Sequence, residues 1–271
     1  MIWDGYMKPF KIFGNLYFIG TAPASTHLID TTEGLILIDT GYQHSLYLVL
    51  NNLWELGFSP YDIKYILHTH GHIDHFGATR ALVELTGAKT FLGRPDRDYA
   101  NGTADLSYAR ELGMEFKETF EPDVLLEDGD TICLGNTEIT CVATPGHTPG
   151  AMSYFFDVTD GTETFRAGLH GGMGINTLSA KFLSKYHLPF SLREDFCRSM
   201  LRLNGEKVDI FLGNHMQHNR TKTKYQQLLE GNPKAFIDPE EWQKFNLFCI
   251  ENLEDMVLKE ERSDNQPGPK S

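Results

Sequence analysis

The chain has 271 residues, enough to bury a sizeable core as one large domain or two modest ones. Hydrophobic residues make up 41% and aromatics 12%, a globular composition that argues against disorder. With 24 Lys plus Arg against 37 Asp plus Glu the net charge is −13, which repels phosphate backbones and argues against nucleic acid as a partner unless a cleft is locally basic.

The opening Met1 to Lys8 lacks a basic segment followed by an apolar one, and no run reaches the length of a membrane span. The expectation is a cytoplasmic protein with no membrane partner. Leu16 to Gly20, His27 to Asp30 and Leu35 to Asp39 read as short strands, the third ending in the turn Asp39-Thr40-Gly41. From Ser45 to Leu56 the spacing of Leu46, Val49, Leu50 and Leu53 suits an amphipathic helix. A strand over 63–67 and a helix over 78–85 follow. The segment 94–118 is charged and polar, with tyrosines and an expected helix. Strands resume at 123–126, 130–134, 137–143, Met152 to Val158 and Thr164 to Ala167. Residues 168–190 are rich in Gly and Ser and carry no clear period. A helix over 192–203, a strand over 208–212 and a helix from Pro239 to Glu261, with Asp238 as its candidate N-cap, complete the chain. Strand groups alternate with helices in both halves, and no linker divides them. This suggests one domain over 1–262, two sheets with helices outside them, and a frayed polar tail over 263–271.

Residues 68 to 77 read His68-Thr69-His70-Gly71-His72-Ile73-Asp74-His75-Phe76-Gly77, directly after the apolar run Ile63 to Leu67. Imidazole and carboxylate donors at this density suit a borderline divalent cation, zinc above all. Affinity tags are plain histidine runs; this one places Gly, Ile and Asp between its histidines. His147, His170 and His215 each follow another strand, so side chains from several strand ends can converge on one edge of a sandwich. Cys133, Cys141, Cys197 and Cys249 form no CxxC pair and read as scattered thiols, Cys141 in the core.

At this point the chain resembles the metallo-β-lactamase superfamily. His70-x-His72-x-Asp74-His75, Gly146-His147-Thr148-Pro149-Gly150 and Gly213-Asn214-His215 stand in the family's order, and Asp39-Thr40-Gly41 looks like its structural turn. The resemblance covers about residues 8 to 260. Lys8 to Asn15 and Ala235 to Trp242 look most like the subclass B3 branch. It implies an α+β fold, the four-layer αββα sandwich, with two zinc ions per chain. His70, His72 and His147 would hold one, and Asp74, His75 and His215 the other. Each metal would keep an open position, as catalytic zinc requires. A metal-bound hydroxide would attack the carbonyl of a small-molecule substrate, with Asp74 orienting it as the catalytic carboxylate. β-Lactams fall within that scope.

Departures from the family's pattern narrow the reading. Most hydrolases of the family carry a metal-bridging aspartate where this chain has Gly168-Leu169-His170-Gly171, which disfavours lactonase and thioesterase chemistry. No cysteine lies nearby, which again points towards B3. The serines that help bind the drug carboxylate in that branch have no match in His170-Gly171-Gly172-Met173-Gly174. Nuclease activity would need a basic groove. The alternatives are a lactonase or thioesterase and a non-catalytic metal sensor of the same fold; oligomeric state stays open.

Outside the ligand set, Asp39 reads as structural, capping a turn by hydrogen bonds. His68 reads as a satisfied core residue or a support behind the ligands. His170 either reaches the cleft as a substrate contact or proton shuttle, or packs beside glycines. His218 reads as solvent-exposed; His27, His44 and His187 as ordinary. Asn176 and Asn214 are candidate polar contacts.

Overall fold

In Leu35-Ile36-Leu37-Ile38 every residue is apolar, so both faces of that strand seek cover. The computed structural model, which describes residues 5–264, provides it on both sides. Ile36 and Ile38 enter a core that also holds residues of the second sheet, while Leu35 and Leu37 pack with Val49, Leu53 and Leu82 from helices outside.

The first sheet has seven strands in sequence order: β1 (Phe10–Phe13), β2 (Leu16–Phe18), β3 (His27–Thr31), β4 (Gly34–Ile38), β5 (Ile63–Leu67), β6 (Lys89–Gly93) and β7 (Val124–Leu126). Pairing is antiparallel up to β4 and parallel thereafter. Helices α1 (Leu46–Glu55) and α3 (Thr79–Thr86) lie on its outer face, and the one-turn α2 (Ile73–Phe76) follows β5. After β6 comes a one-turn helix, α4 (Arg97–Ala100).

The second sheet runs in the order β12-β11-β10-β9-β8, with β8 (Thr131–Leu134), β9 (Thr137–Ala143), β10 (Met152–Thr159), β11 (Thr164–Leu169) and β12 (Ile210–Leu212). Its inner residues, among them Ile139, Cys141, Tyr154, Phe156 and Leu212, meet the first sheet. Val142, Phe155 and Phe211 face outward against α6 (Leu192–Asn204) and α8 (Glu241–Asp264). Trp242 is the anchor there: it is fully buried, and its indole N–H donates to Leu203 O at 2.7 Å. Two further helices, α5 (Ala180–Lys185) and α7 (Thr221–Leu229), complete an αββα sandwich.

Some sequence expectations need correction. The helix expected over 94–118 shrinks to α4; the rest is turns and irregular chain as far as β7, with left-handed backbone at Gly102, Tyr108 and Gly113. The structure adds β1, β6, α5 and α7, which the sequence reading does not anticipate; β1 alternates Phe10-Lys11-Ile12 but spans only four residues. Asp74 and His75 sit on the helical turn α2. Asp238 does accept a hydrogen bond from the Glu240 N–H, at 3.1 Å, just ahead of α8. Of the tail expected over 263–271, Ser263 and Asp264 end α8, and 265–271 lie outside the described residues. The four cysteines are free, with Cys141 buried.

Candidate metal centre

The chain leaving β5 is held by hydrogen bonds on every side. Tyr154 of β10 donates its hydroxyl to His68 O at 2.7 Å, and the Met152 N–H donates to Thr69 O at 2.8 Å, so the second sheet holds the loop of the first. His68 is fully buried, with Nδ1 2.9 Å from Phe91 O and Nε2 2.7 Å from Thr79 Oγ1, and has no nitrogen left for a metal. It is the satisfied core residue the sequence suggested.

Asp39 is the hub beneath the loop. Its Oδ1 accepts the Thr69 N–H, and its Oδ2 accepts both the Thr69 hydroxyl and His75 Nδ1, each at 2.8 Å. Its backbone sits at φ +59°, the left-handed region that Asp tolerates better than most residues. Because the Thr69 hydroxyl hydrogen goes to Asp39, Thr69 Oγ1 accepts from His70 Nδ1 at 3.0 Å. His147 Nδ1 lies 2.6 Å from Gly174 O, and His215 Nδ1 lies 2.6 Å from Pro23 O. Four imidazoles are thus fixed through Nδ1, which leaves each Nε2 without a backbone partner.

These Nε2 atoms and Asp74 converge. Donor atoms of His70, His72 and His147 lie within 4.8 Å of one another, as do those of His70, Asp74 and His75. Asp74 Oδ2 stands 3.3 Å from His75 Nε2 and 3.7 Å from His215 Nε2. All six expected residues come together, with one difference in grouping: His70 is the member shared by both tight trios, and His215 stands at the rim.

The electrostatics suit a divalent cation. Burial pushes His70 and His72 well below the ordinary histidine value, neighbouring imidazoles push the same way, and burial takes His147 down to about 4. All three are neutral donors at pH 7. Burial would lower His75 too, but the Asp74 and Asp39 carboxylates outweigh it and hold His75 up at about 10. Burial opposes ionisation of Asp74, yet His75 and His215 keep it below the usual carboxylate range. The buried Nε2 atoms of His70 and His75 lack any hydrogen-bond partner. An arrangement of buried, unpartnered nitrogens around a carboxylate fits a divalent metal.

One supporting residue carries no mark in the sequence. Asp96, fully buried after β6, accepts the Gly71 N–H at 2.8 Å, the Thr148 hydroxyl at 2.6 Å and the Gly150 N–H at 2.7 Å. It ties the His70–His72 loop to the His147 loop.

With this geometry in view, comparison with known proteins is decisive at the family level. The profile of the Metallo-beta-lactamase superfamily matches residues 19–160. The chain belongs to that superfamily. A curated relative, "Probable metallo-hydrolase YflN" of Bacillus subtilis, is 30% identical over 157 residues, 53% of this chain and 56% of its own. The chain thus spans about half the length of the curated relatives it matches.

Solved structures of the superfamily align further. The subclass B3 metallo-β-lactamase BJP-1 of Bradyrhizobium japonicum superposes with a TM-score of 0.86 at 28% identity, covering 96% of this chain and 97% of that one. The class B3 di-zinc enzyme LRA-12, from an Alaskan soil metagenome, gives 0.82 at 30% identity, covering 94% and 96%.

Against this superfamily background the departures acquire physical reasons. Leu169, where a bridging carboxylate would stand, is buried in the core between the sheets. Gly172 and Gly174 lie against His147: an added Cβ would fall 2.5 Å from His147 Cδ2 at Gly172 and 3.0 Å from His147 Cε1 at Gly174. A serine at Gly172 would displace the His147 ring, and one at Gly174 would meet Asn176 Oδ1 first, at 2.5 Å. His170 takes the packed alternative: it is fully buried, stacks on Trp242 at 3.9 Å between ring centroids, and does not line the cleft. His218 is not solvent-exposed as expected; it is half-buried against His215 and Phe245 and lines the cleft with Asn176 and Asn214. No helix of the described residues is long and apolar enough to cross a membrane.

Proposed function

We propose that the chain is a zinc-dependent hydrolase acting on a small carbonyl substrate, with cyclic amides such as β-lactams within its range. The observation that carries this reading is the buried, unpartnered Nε2 of His70, with His75 Nε2 facing only Asp74, beside a cleft of about 220 Å³. His70, His72 and His147 would hold one zinc, and Asp74, His75 and His215 the second. Zinc so held brings a coordinated water near neutral pKa and polarises a carbonyl oxygen. The chain's own part is positioning. Asp74, ionised at neutral pH, is the carboxylate that accepts a hydrogen bond from the attacking water and aims it. Asp39, Gly174 O and Pro23 O fix the imidazole rings so that little reorganisation accompanies reaction. The apolar Leu169 weighs against lactone or thioester hydrolysis that depends on a bridging carboxylate.

The test combines metal analysis with turnover of nitrocefin and γ-butyrolactone. Two zinc ions per chain, nitrocefin hydrolysis abolished by dipicolinate and its return with zinc are expected. His147→Ala should remove one zinc and the activity together. Stoichiometric zinc without turnover of either compound would favour the metal-sensor alternative, and unchanged zinc in His147→Ala would overturn the ligand assignment.

A further inference from the structure

The irregular chain between α4 and β7 crosses the cleft as a strap fastened at both sides. On one side the Ile73 N–H donates to Ser107 O at 2.9 Å, and Ala109, Met114, Phe116 and Phe120 pack with Ile73 and Phe76 of α2, the helix that carries Asp74 and His75. On the other side Glu111 accepts hydrogen bonds from Lys185 Nζ, at 2.6 Å, and from the Tyr186 hydroxyl. Between these fastenings stands Tyr108, which lines the cleft. Its ring lies 5.2 Å from that of His72 and 5.8 Å from that of Phe182.

Tyr108 also has left-handed backbone, φ +67°, a conformation costly for an aromatic residue and kept where surrounding contacts dictate it. The contacts on both flanks do so here. The phenolic oxygen accepts a hydrogen bond from Asn176 Nδ2 in the turn Asn176–Leu178. Its own hydrogen has no acceptor among the described residues. No Lys or Arg lines the cleft, whose polar lining beyond the donor cluster is Tyr108, Asn176, Asn214, Gln217 and His218. Recognition there rests on neutral hydrogen bonds.

We propose that Tyr108 is a substrate-contacting residue whose O–H donates a hydrogen bond to an uncharged acceptor atom of the substrate, a carbonyl oxygen or ring heteroatom. The strap presents it, and the Asn176 amide orients it by occupying the lone pair on its far side. The inference rests on the hydrolase reading for the word substrate, but its test does not.

Tyr108→Phe keeps the ring against His72 and Phe182 and removes only the hydroxyl. Zinc content and melting temperature should stay at the wild-type values. Calorimetric titration of the zinc-loaded protein with 2-pyrrolidinone, a small neutral cyclic amide that does not chelate zinc, should show affinity reduced about three- to tenfold. With nitrocefin, kcat/KM should fall at least as far. If wild type turns over nothing yet Tyr108→Phe weakens 2-pyrrolidinone binding, the hydrolase reading fails and the contact stands. Wild-type affinity in Tyr108→Phe overturns the proposal, as does a loss of zinc or of melting temperature that accounts for the change.

Discussion

Asp39 and Asp96 do related work from opposite sides of the metal centre. Each is a buried carboxylate whose oxygens accept hydrogen bonds from the ligand loops. Asp39→Asn keeps the shape and the tolerance for left-handed backbone but turns an N–H₂ towards either His75 Nδ1 or Thr69. Zinc affinity should fall about 10- to 100-fold, measured by competition with a chromogenic chelator. An unchanged affinity would mean that Asp39 serves the turn alone. Asp96 differs because no cationic group offsets its burial, which raises its pKa to about 6 from 3.8. The folded chain therefore binds that proton more tightly than the unfolded chain does. The stabilising contribution is complete below about pH 4 and is lost as pH rises through about 6. Relative to Asp96→Asn, the wild type should lose stability on the order of 3 kcal/mol over that window and run parallel above it, as read from urea midpoints. A constant difference from pH 4 to 8 would contradict the assignment. Asp39 was legible because it ends an apolar run in a turn. Asp96 was not: its three partners lie 25, 52 and 54 positions away in the chain, beyond the reach of any local pattern.

Among the elements, α8 makes the sharpest claim about packing. Trp242 is buried against His170, Phe155 and Phe211, and its N–H closes on α6. Trp242→Ala should cost about 3–5 kcal/mol by denaturant unfolding, since the site is closed on all sides and cannot collapse easily. A loss below about 1 kcal/mol would show that α8 is marginal to the core. What the sequence revealed of the elements follows their periodicity. Apolar runs made β4 and β5 readable, alternation β9 and helical spacing α1, and the histidine run located the end of β5. β6 reads Lys89-Thr90-Phe91-Leu92-Gly93, too short to show a period, and α7 carries three of its nine residues as exposed or half-exposed apolar side chains. The strap failed as a helix for a different reason. Its apolar residues Met114, Phe116 and Phe120 serve α2, a partner that local spacing does not disclose.

For the molecule as a whole, the candidate metal centre draws on both sheets, which also meet through apolar packing and the hydrogen bonds of Tyr154, Met152 and Asp96. His70, His72, Asp74 and His75 follow β5 of the first sheet, whereas His147 and His215 follow β9 and β12 of the second. Any cation held by both sets binds the folded sandwich and not the open chain, so its affinity adds to the stability of the whole. At free zinc a hundredfold above its dissociation constant the gain is about 2.7 kcal/mol per site. For a chain of this size that corresponds to a melting shift of roughly 5–10 °C. Chelation with dipicolinate, which empties both sites, should lower the melting temperature by about twice this much, roughly 10–20 °C, while leaving one cooperative transition, because the packing between the sheets stays intact without metal. His215→Ala, at the rim of the second zinc's set, should diminish the shift less than His70→Ala, which removes a donor of the first zinc that stands in both tight trios. Calorimetric scans of the three proteins with and without zinc decide the matter. Equal shifts in both variants would mean that the two halves of the donor cluster do not bind metal as the geometry divides them.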